Sequence, residues 1–429
     1  MLTGLVNQAR KDRKISTLSD VQILRLVQDP EGVPVAAIYL DLKDGKVKAI
    51  SCRAVVAATG GYEELWACSD AASTACGDGL FLAYEAGAEL VDLEMLQFYP
   101  TVVIHPPYIK GTLFQYELVI HPDFLGGHLR NGEGKTFFEG MPMRDAITRA
   151  IWREIKAGRG TEHGGVYIDL THSTKDRQAL TEALEKWQPN QFHYLQEMGV
   201  DLRDTRVEVA PHAHYTMGGV AIDEKGATNV PGLFAAGEAA GNLHGANRVS
   251  GNALAETQVF GALAGASAAA FARSRKDRQA ANVRDETKEM ETEGRHFLER
   301  KDSSLRPFQI LRHLQEIMWK GCGIEREARG LEQGREEVQH IERELLPRLS
   351  IFAPETEPGT PYLQELQEAW ELKMMVTLAG LVLSSALFRK ETRGHHLRTD
   401  HPEMEENARH VFLSKKEGLT FGAVKRISG

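Results

Sequence analysis

An apolar run ends at Gly237-Glu238 and passes through a glycine-rich loop into an alanine-rich segment, GLFAAGEAAGNLHGANRVSGNALAE, over residues 232–256. A strand that stops at a glycine and feeds a helix leaves the first helical N–H groups facing an anion or an electron-rich ring edge. Glu238 at the tip of such a strand is placed to accept hydrogen bonds from sugar hydroxyls, as an acidic residue does in dinucleotide-binding folds. A second apolar run, AVVAATGG at 54–61, also ends in paired glycines, where backbone can come close to a ligand. Each string alone is more often a plain loop; together they point to a bound dinucleotide.

Other reactive side chains are scattered. His212 and His214 flank Ala213, a spacing that can bind metal, but no third ligand is in view and no metal site is expected. Arg144, taken alone, reads as an arginine in the first turn of a helix, paired to Asp145 or Glu154. The four cysteines, Cys52, Cys68, Cys76 and Cys322, include no C-x-x-C pair. Neither a zinc ribbon nor a ligand set for an iron-sulfur cluster is therefore expected, and a reducing, cytoplasmic compartment fits. Fifty-one basic against 60 acidic residues give a net charge of −9, which supplies no global field for nucleic acid or an anionic membrane.

These residues need a framework, and 429 residues at about 150 per domain suggest two or three domains. The composition, 42% hydrophobic and 26% charged, excludes disordered, collagen-like and coiled-coil chains. Residues 15–60 alternate as hairpin strands with turns at 29–32 and 43–46, followed by a near-continuous apolar strand at 53–59 that should be covered on both faces. A helix is expected at 77–90. From 95 to about 210 the texture becomes turn-rich, which suggests a less regular domain with helices at 144–157, 176–187 and 191–198, the last two meeting at Pro189. Strand and helix patterns return at 219–223, 232–240 and 251–273. Charged helices at 285–300, 308–319 and 330–346 read as solvated faces, and 351–361 as a linker. The apolar stretch 374–388 is shorter than the ~20 residues of a membrane span and reads as a buried helix. The N-terminus lacks the apolar core and cleavage site of a signal peptide.

The strings ATGG, GDG, PHAHYTMGGVAID, GLFAAGEAAGNLHGANRVSGNALAE, LQEIMWKGCGI and ETRGHHLRTDHP run in this order over nearly all of the chain. They resemble the flavoprotein subunit of fumarate reductase and succinate dehydrogenase, with L-aspartate oxidase and adenylylsulfate reductase as cousins; HYTMGG and HGANR are specific to the succinate dehydrogenase branch. The resemblance implies a multidomain α/β and α+β fold. A partial Rossmann-like FAD domain (1–94 and 211–272) would hold an inserted capping domain (95–210), followed by a helical domain (273–385) and a short C-terminal domain (386–429). Family members begin with a strand-G-x-G-x-x-G-helix unit for the FAD pyrophosphate, then a segment where many carry a histidine bonded to flavin. Neither is present here, so the first βαβ unit is expected to be missing or to come from another chain.

The resemblance implies FAD as cofactor and assigns residues one by one. Ala58, Thr59 and Gly60 match backbone contacts to the nucleotide portion, Asp78 of GDG the aspartate at the cofactor, and Glu238 the sugar- or ribitol-binding acid. Ala253 and Leu254 match a Ser-Leu pair whose backbone meets the flavin ring, a role that alanine leaves intact. His244 has a counterpart beside the flavin, with a packing or hydrogen-bonding role. His214 matches one carboxylate-binding histidine, and Arg248 the carboxylate-binding arginine, suited to a bidentate fork. Arg144 matches the arginine proposed as general acid; a free guanidinium has a pKa above ~12, so position and a relay must compensate.

Two departures stand out. The family's Q-[FY]-H-P-T string reads Q-F-Y-P-T here, putting Tyr99 where the second substrate histidine belongs. Tyrosine can donate a hydrogen bond but is uncharged near neutral pH, so Tyr99 would tune substrate choice. The family's T-E-x-x-R-G-x-G-G relay string, anchored on Gly126-Gly127, falls on Val119, Ile120 and Asp123, without the glutamate or the arginine. Glu117 could serve if an insertion shifts the register, and His121 or His128 could deliver protons; each otherwise reads as a solvated loop residue. His395 and His396 lie in a string that in the family packs near the iron-sulfur partner, with a surface charge cluster as the equal alternative.

The first reading is an enzyme subunit that transfers hydride between flavin N5 and the carbon–carbon double bond of a small carboxylic acid such as fumarate. Arg248 and His214 would hold carboxylate and Arg144 would move the proton. Electrons would travel to or from a separate iron-sulfur subunit, with any membrane attachment through partners. A cousin using a soluble donor or oxygen is the nearest rival. The second reading is a truncated or split remnant, or a scaffold subunit without flavin, whose missing strands would leave an exposed sheet edge and apolar surface.

Overall fold

The computed structural model describes residues 2–138, 140, 143–275, 282–299, 304–351 and 364–423. The linker expected at 351–361 lies outside them from residue 352 on. A short helix, α1 (Leu2–Lys11), precedes an antiparallel meander of β1 (Val21–Gln28), β2 (Pro34–Asp41) and β3 (Lys46–Ser51). Alternation sends Leu24, Val27, Ile38 and Leu40 into the core. The expected turn closes through Asp29, whose Oδ1 accepts from the amides of Glu31 and Val33 at 3.1 and 2.9 Å. Strand β4 (Val55–Ala57) follows, then α2 (Asp78–Glu85) and β5 (Leu90–Val91).

The middle of the chain is more regular than its composition suggests. Strands β6 (Leu96–His105), β7 (His128–Arg130), β8 (Val166–Asp169) and β9 (Val207–Thr216) form a four-stranded antiparallel sheet in the order β6-β9-β8-β7. Helices α3 (Tyr116–Ile120), α4 (Arg144–Glu154), α5 (Arg177–Trp187) and α6 (Pro189–Glu197) accompany it. Val103, Phe114, Leu129, Ile147, Ile168 and Val209 belong to a core of its own. The expectation of an irregular domain is corrected for a physical reason. Strands β7 and β8 are too short to show alternation, and β6 and β9 each contain a proline, which cannot donate to a ladder and argues against a central strand. The ladder absorbs both prolines in a bulge: Tyr99 pairs with His212 and Val102 with Ala210, so Pro100 and Thr101 oppose Pro211 alone. Thr101 turns instead to Phe114, whose N–H donates to its carbonyl at 3.1 Å.

Strands β10 (Gly219–Val220) and β11 (Leu233–Ala235) return the chain to the first layer, where β11 lies parallel to β4 with Ala235 opposite Ala57. Helix α7 (Asn252–Ser274) packs on both. The expectation that the apolar strand is covered on both faces is corrected: Ala57 is buried, but Val56 on the opposite side keeps 39% exposure.

Helices α8 (Val283–Glu299), α9 (Pro307–Gly321), α10 (Ala328–His340) and α11 (Gln364–Phe388) build the last layer. The charged helices are solvated on one face only; Met290, Leu314, Leu331 and Val338 are buried on the other. Helix α11 extends the expected apolar helix back to Gln364, and by length and composition it could cross a membrane. Its apolar side chains are instead spent on packing, with Leu366, Met375, Leu378 and Leu383 buried in the main core. After α11, β13 (Leu397–Arg398) pairs with β12 (Glu325–Arg326), which lies between α9 and α10, while the hairpin of β14 (Arg409–Ser414) and β15 (Gly418–Ala423) extends the sheet of β5 and β10. Buried Arg389 holds this junction: Nε donates to Glu94 at 2.6 Å, Nη1 to Glu391 at 2.8 Å and Nη2 to Asp92 at 3.0 Å.

Candidate active site

The two glycine strings meet at the C-terminal ends of parallel strands β4 and β11. A Cβ on Gly79 would lie 2.1 Å from Thr59 Oγ1, so the Thr59 side chain occupies the gap that glycine leaves and the ATGG turn rests on the GDG turn. Asp78 opens α2; its Oδ1 accepts from Gly79 N–H at 2.7 Å and its Oδ2 from Gln22 Nε2 at 3.2 Å. Burial holds its carboxyl above the usual range. Ala58 and Thr59 are exposed beside it, and Gly60, at φ +84°, faces open space. These four residues are thus brought together as one open cradle.

Glu238 sits in a single helical turn just after β11. The Thr216 amide lies 2.9 Å from both Glu238 Oε1 and Glu63 Oε1, so two mostly buried carboxyls bracket one N–H. Burial, then the hydrogen bond and charge of Glu63, push Glu238 well above the usual carboxylate range. Gly61 makes this pair possible, since a Cβ there would fall 2.4 Å from Thr216 Oγ1 and 2.6 Å from Glu63 Oε1. Ala253 and Leu254 lie in the first turn of α7, behind Gly251 at φ +87°, and no side chain caps that turn. Its first N–H groups are therefore available to a ligand. Glu63 Oε2 and Thr216 Oγ1 are buried without a hydrogen-bond partner. An uncapped helix end, orphaned buried oxygens and an open glycine turn fit a flavin dinucleotide.

The residues that the resemblance assigns to the substrate converge where β6 and β9 reach the end of the four-stranded sheet. His214 on β9 places Nδ1 3.1 and 3.0 Å from the two Asp70 oxygens. A carboxylate only accepts, so Nδ1 carries the hydrogen and Nε2 faces the other way. Tyr99 on β6 donates its hydroxyl to the Phe114 carbonyl at 2.9 Å. What it offers the site is its ring, 4.8 Å from the His214 ring and 4.9 Å from the Arg144 guanidinium. Burial holds its phenol above the ordinary range. Arg144, at the start of α4, donates Nη1 to Gln97 Oε1 at 2.9 Å, and Gln97 Nε2 donates to the Arg248 carbonyl at 2.9 Å. The same amide thus positions both arginines. The helix-surface pairing of Arg144 with Asp145 or Glu154 does not occur; those acids pair with Arg149 and Arg159.

Arg248 is 7% exposed, and among the described residues no carboxylate lies within salt-bridge distance of it. Its guanidinium lies 4.2 Å above the Tyr215 ring, and Nε has no hydrogen-bond partner. Burial, then the neighbouring Arg144 charge, pull its pKa down. Glu256 accepts from Tyr215 at 2.9 Å and pairs with His244 Nε2 at 3.1 Å, so His244 does serve as a hydrogen-bonding residue. An uncompensated buried guanidinium costs several kcal/mol unless an anion meets it, and two adjacent ones make a site for a carboxylate-bearing molecule.

The candidate proton carriers separate cleanly. Glu117, on α3 rather than in a solvated loop, lies 3.8 Å from Arg144 Nη2. Tyr116 sits beside both, its phenol pushed up by burial and by the Glu117 charge. His121 accepts from the Asp123 amide and packs on Phe124, and His128 belongs to β7; neither is paired with Arg144. His212 turns Nδ1 to the Ala210 carbonyl at 3.1 Å. The expectation of a surface cluster at His395 and His396 is corrected: both are buried. His395 Nδ1 accepts from the Phe98 amide, leaving Nε2 unpartnered, and His396 lies 2.9 Å from Arg326. Asp70, Glu63 and the bridging role of Gln97 have no signature in the sequence, since each acts through a partner distant in the chain. All four cysteines are free thiols.

Comparisons with known proteins bear on the family and the cofactor. A model described as "FAD binding domain" matches residues 1–254, and one described as "Fumarate reductase flavoprotein C-term" matches residues 311–421. The chain is 38% identical over 424 residues to a subunit of the fumarate reductase (CoM/CoB) of Methanothermobacter marburgensis, covering 97% of this chain and 73% of that protein. It is 30% identical to an L-aspartate oxidase of Streptomyces coelicolor, over 95% of this chain and 68% of that one. In structure it resembles a mutant of the E. coli quinol fumarate reductase FrdA, with a TM-score of 0.86 and 26% identity, covering 100% of this chain and 75% of that one.

Proposed function

The chain belongs to the FAD-binding flavoprotein family of fumarate reductases and succinate dehydrogenases, and from that premise we propose that it is the catalytic component of an enzyme acting on the CH–CH group of a small dicarboxylic acid. The observation that carries this reading is buried Arg248, with no carboxylate in salt-bridge range among the described residues and with the charge of a second arginine close by. FAD, when bound, supplies the two-electron carrier. Ala58, Thr59, Gly60, Asp78 and Glu238 would hold its nucleotide and sugar portions, and the open turn at Ala253-Leu254 its ring.

Arg248 takes one substrate carboxylate in a bidentate fork, and His214, set by Asp70, presents Nε2 to the same molecule. Arg144 is too basic to give up a proton unaided, and its fixed contact with Gln97 on one side and its approach to Glu117 on the other supply position and a route. Glu117 thus takes the relay role, reached from α3. An iron-sulfur subunit would exchange electrons with this chain, and any contact with a membrane would run through partners.

The test is turnover by the flavin-loaded chain with its partner subunits, using a reduced dye as electron donor. Fumarate should be consumed, and Arg144→Lys should abolish this while leaving bound flavin unchanged. Turnover retained by that variant would remove Arg144 from the acid role. Oxidation of L-aspartate without fumarate reduction would place the chain among the oxidases instead.

A further inference from the structure

At the far end of the same two strands, three potential metal ligands converge. His105 closes β6, Glu208 lies directly across from it on β9, and His163 comes from the turn that leads into β8. Their ligand atoms all lie within 4.8 Å of one another. We propose that His105, His163 and Glu208 form a site for a divalent transition-metal ion of the zinc class, with water completing the coordination.

Ligand chemistry supports this ion class. Two imidazoles and a carboxylate suit zinc and its neighbours rather than calcium or magnesium, which prefer all-oxygen shells. The ligands are also held in advance. Glu208 is 6% exposed, and its Oε1 lies 2.9 Å from His163 Nδ1. The 161–165 turn is closed by the Thr161 N–H to Gly165 carbonyl bond at 2.8 Å and by Gly165 N–H donating to Thr161 Oγ1 at 3.0 Å. Gly165 presses that turn on β9, where a Cβ would fall 2.4 Å from the Val209 carbonyl. The two imidazole rings stack at 3.8 Å with 12° between their planes, yet His105 has no hydrogen-bond partner for its ring among the described residues. Two imidazoles beside one buried carboxylate, with one ring unpaired among the described residues, make a donor set that a cation would complete.

Glu208 and His214 are six positions apart on one strand, about 20 Å at ~3.3 Å per residue. The ion would therefore brace the outer edge of the capping sheet, pinning the 161–165 turn to β6 and β9, without touching the substrate residues.

Zn²⁺ and Co²⁺ titrations of the metal-stripped full chain test this, followed by calorimetry, by the visible bands of bound Co²⁺ and by thermal denaturation. One equivalent should bind per chain and raise the melting temperature. His105→Ala and His163→Ala should each weaken binding about tenfold or more and abolish the shift. The His163 side chain keeps 41% exposure, and a circular dichroism spectrum and metal-free melting temperature matching the parent's establish that the variant is folded. The control is His193→Ala, which removes another exposed histidine–carboxylate pair, His193 with Glu185, and should bind as the parent does. Equal binding by parent and His163→Ala, or no saturation at one equivalent, would overturn the proposal.

Discussion

The Arg144 guanidinium lies 4.9 Å above the Tyr99 ring, while the Tyr99 hydroxyl points away to the Phe114 carbonyl at 2.9 Å. The ring, not the hydroxyl, is therefore what Tyr99 offers the arginine, beside the Gln97 hydrogen bond. Tyr99→Phe should keep turnover within about fivefold, since it removes one hydrogen bond worth ~1 kcal/mol. Tyr99→Ala should lower kcat at least about tenfold through loss of the cation–π platform. Steady-state kinetics of the two variants decide it, and equal losses would return the role to the hydroxyl.

Glu117 stands 3.8 Å from Arg144 Nη2. Glu117→Gln keeps the shape and removes the charge, and it should lower kcat by about 10²-fold or more, the scale of general acid–base catalysis, with KM little changed. The parent and variant pH–rate profiles are the measurement. An unchanged kcat would mean that protons reach Arg144 by another path.

Asp70 fixes the His214 tautomer through its two oxygens at 3.1 and 3.0 Å. Asp70→Asn offers an N–H to the same nitrogen and favours the opposite tautomer. The expected result is a rise in KM for dicarboxylate of roughly 10–100-fold, with flavin content as in the parent. Unaltered KM would show that His214 is oriented by its packing alone.

Glu238 stays protonated to higher pH in the folded chain than in the unfolded one, because burial and Glu63 disfavour its charge. Across that interval the folded state binds more protons, so stability is full below the usual carboxylate pKa and falls as pH rises through the elevated one. Denaturant midpoints of the flavin-free chain should therefore decline from acidic toward alkaline pH, by at most ~1.4 kcal/mol per unit from this group. Glu238→Gln should flatten the slope; an identical slope would mean that the Glu63 pair holds no such proton.

Buried Arg389 donates to Asp92, Glu94 and Glu391. Arg389→Ala would strand those carboxylates in the interior, and a loss of about 3–5 kcal/mol is expected in chemical denaturation. A loss below about 1 kcal/mol would show that water enters and solvates the three acids.

The meander, the glycine-terminated strands and the long helices were legible because their signals are local. Alternation shows in VQILRLVQ, a strand ending in Gly-Glu shows at 237–238, and helical spacing shows in α9. The capping sheet was hidden by Pro100 and Pro211, each of which argues against the strand that contains it until the other is seen opposite. The burial of His395 and His396 was hidden because β6 and β12, far away in sequence, cover them. In the site, Arg144, His214 and Arg248 were legible as types within family strings. Asp70 and Glu63 act through pairings that only folding creates, and the approach of Glu117, one of several candidates in the sequence, to Arg144 is of the same kind.

The paired prolines have a mechanical consequence. Beta ribbon is stiff along its length because each ladder bond resists flexing, and opposite Pro100 and Pro211 the ribbon of β6 and β9 lacks amide donors at the same level. That crease falls between two loads. Tyr99 and His214 lie on one side, rooted beside Glu63 and Thr216, while Val103 and Val209 lie on the other, inside the capping core. The ribbon therefore offers least resistance to bending at the crease, which lies next to Tyr99 and is separated from His214 by two residues. Arg144 opens a helix whose Ile147 and Ile151 belong to the capping plate. Arg144 therefore straddles the crease, rooted in one core through its helix and held on the other side by Gln97 and the Tyr99 ring, and it fastens the two sides together where the ladder is weakest.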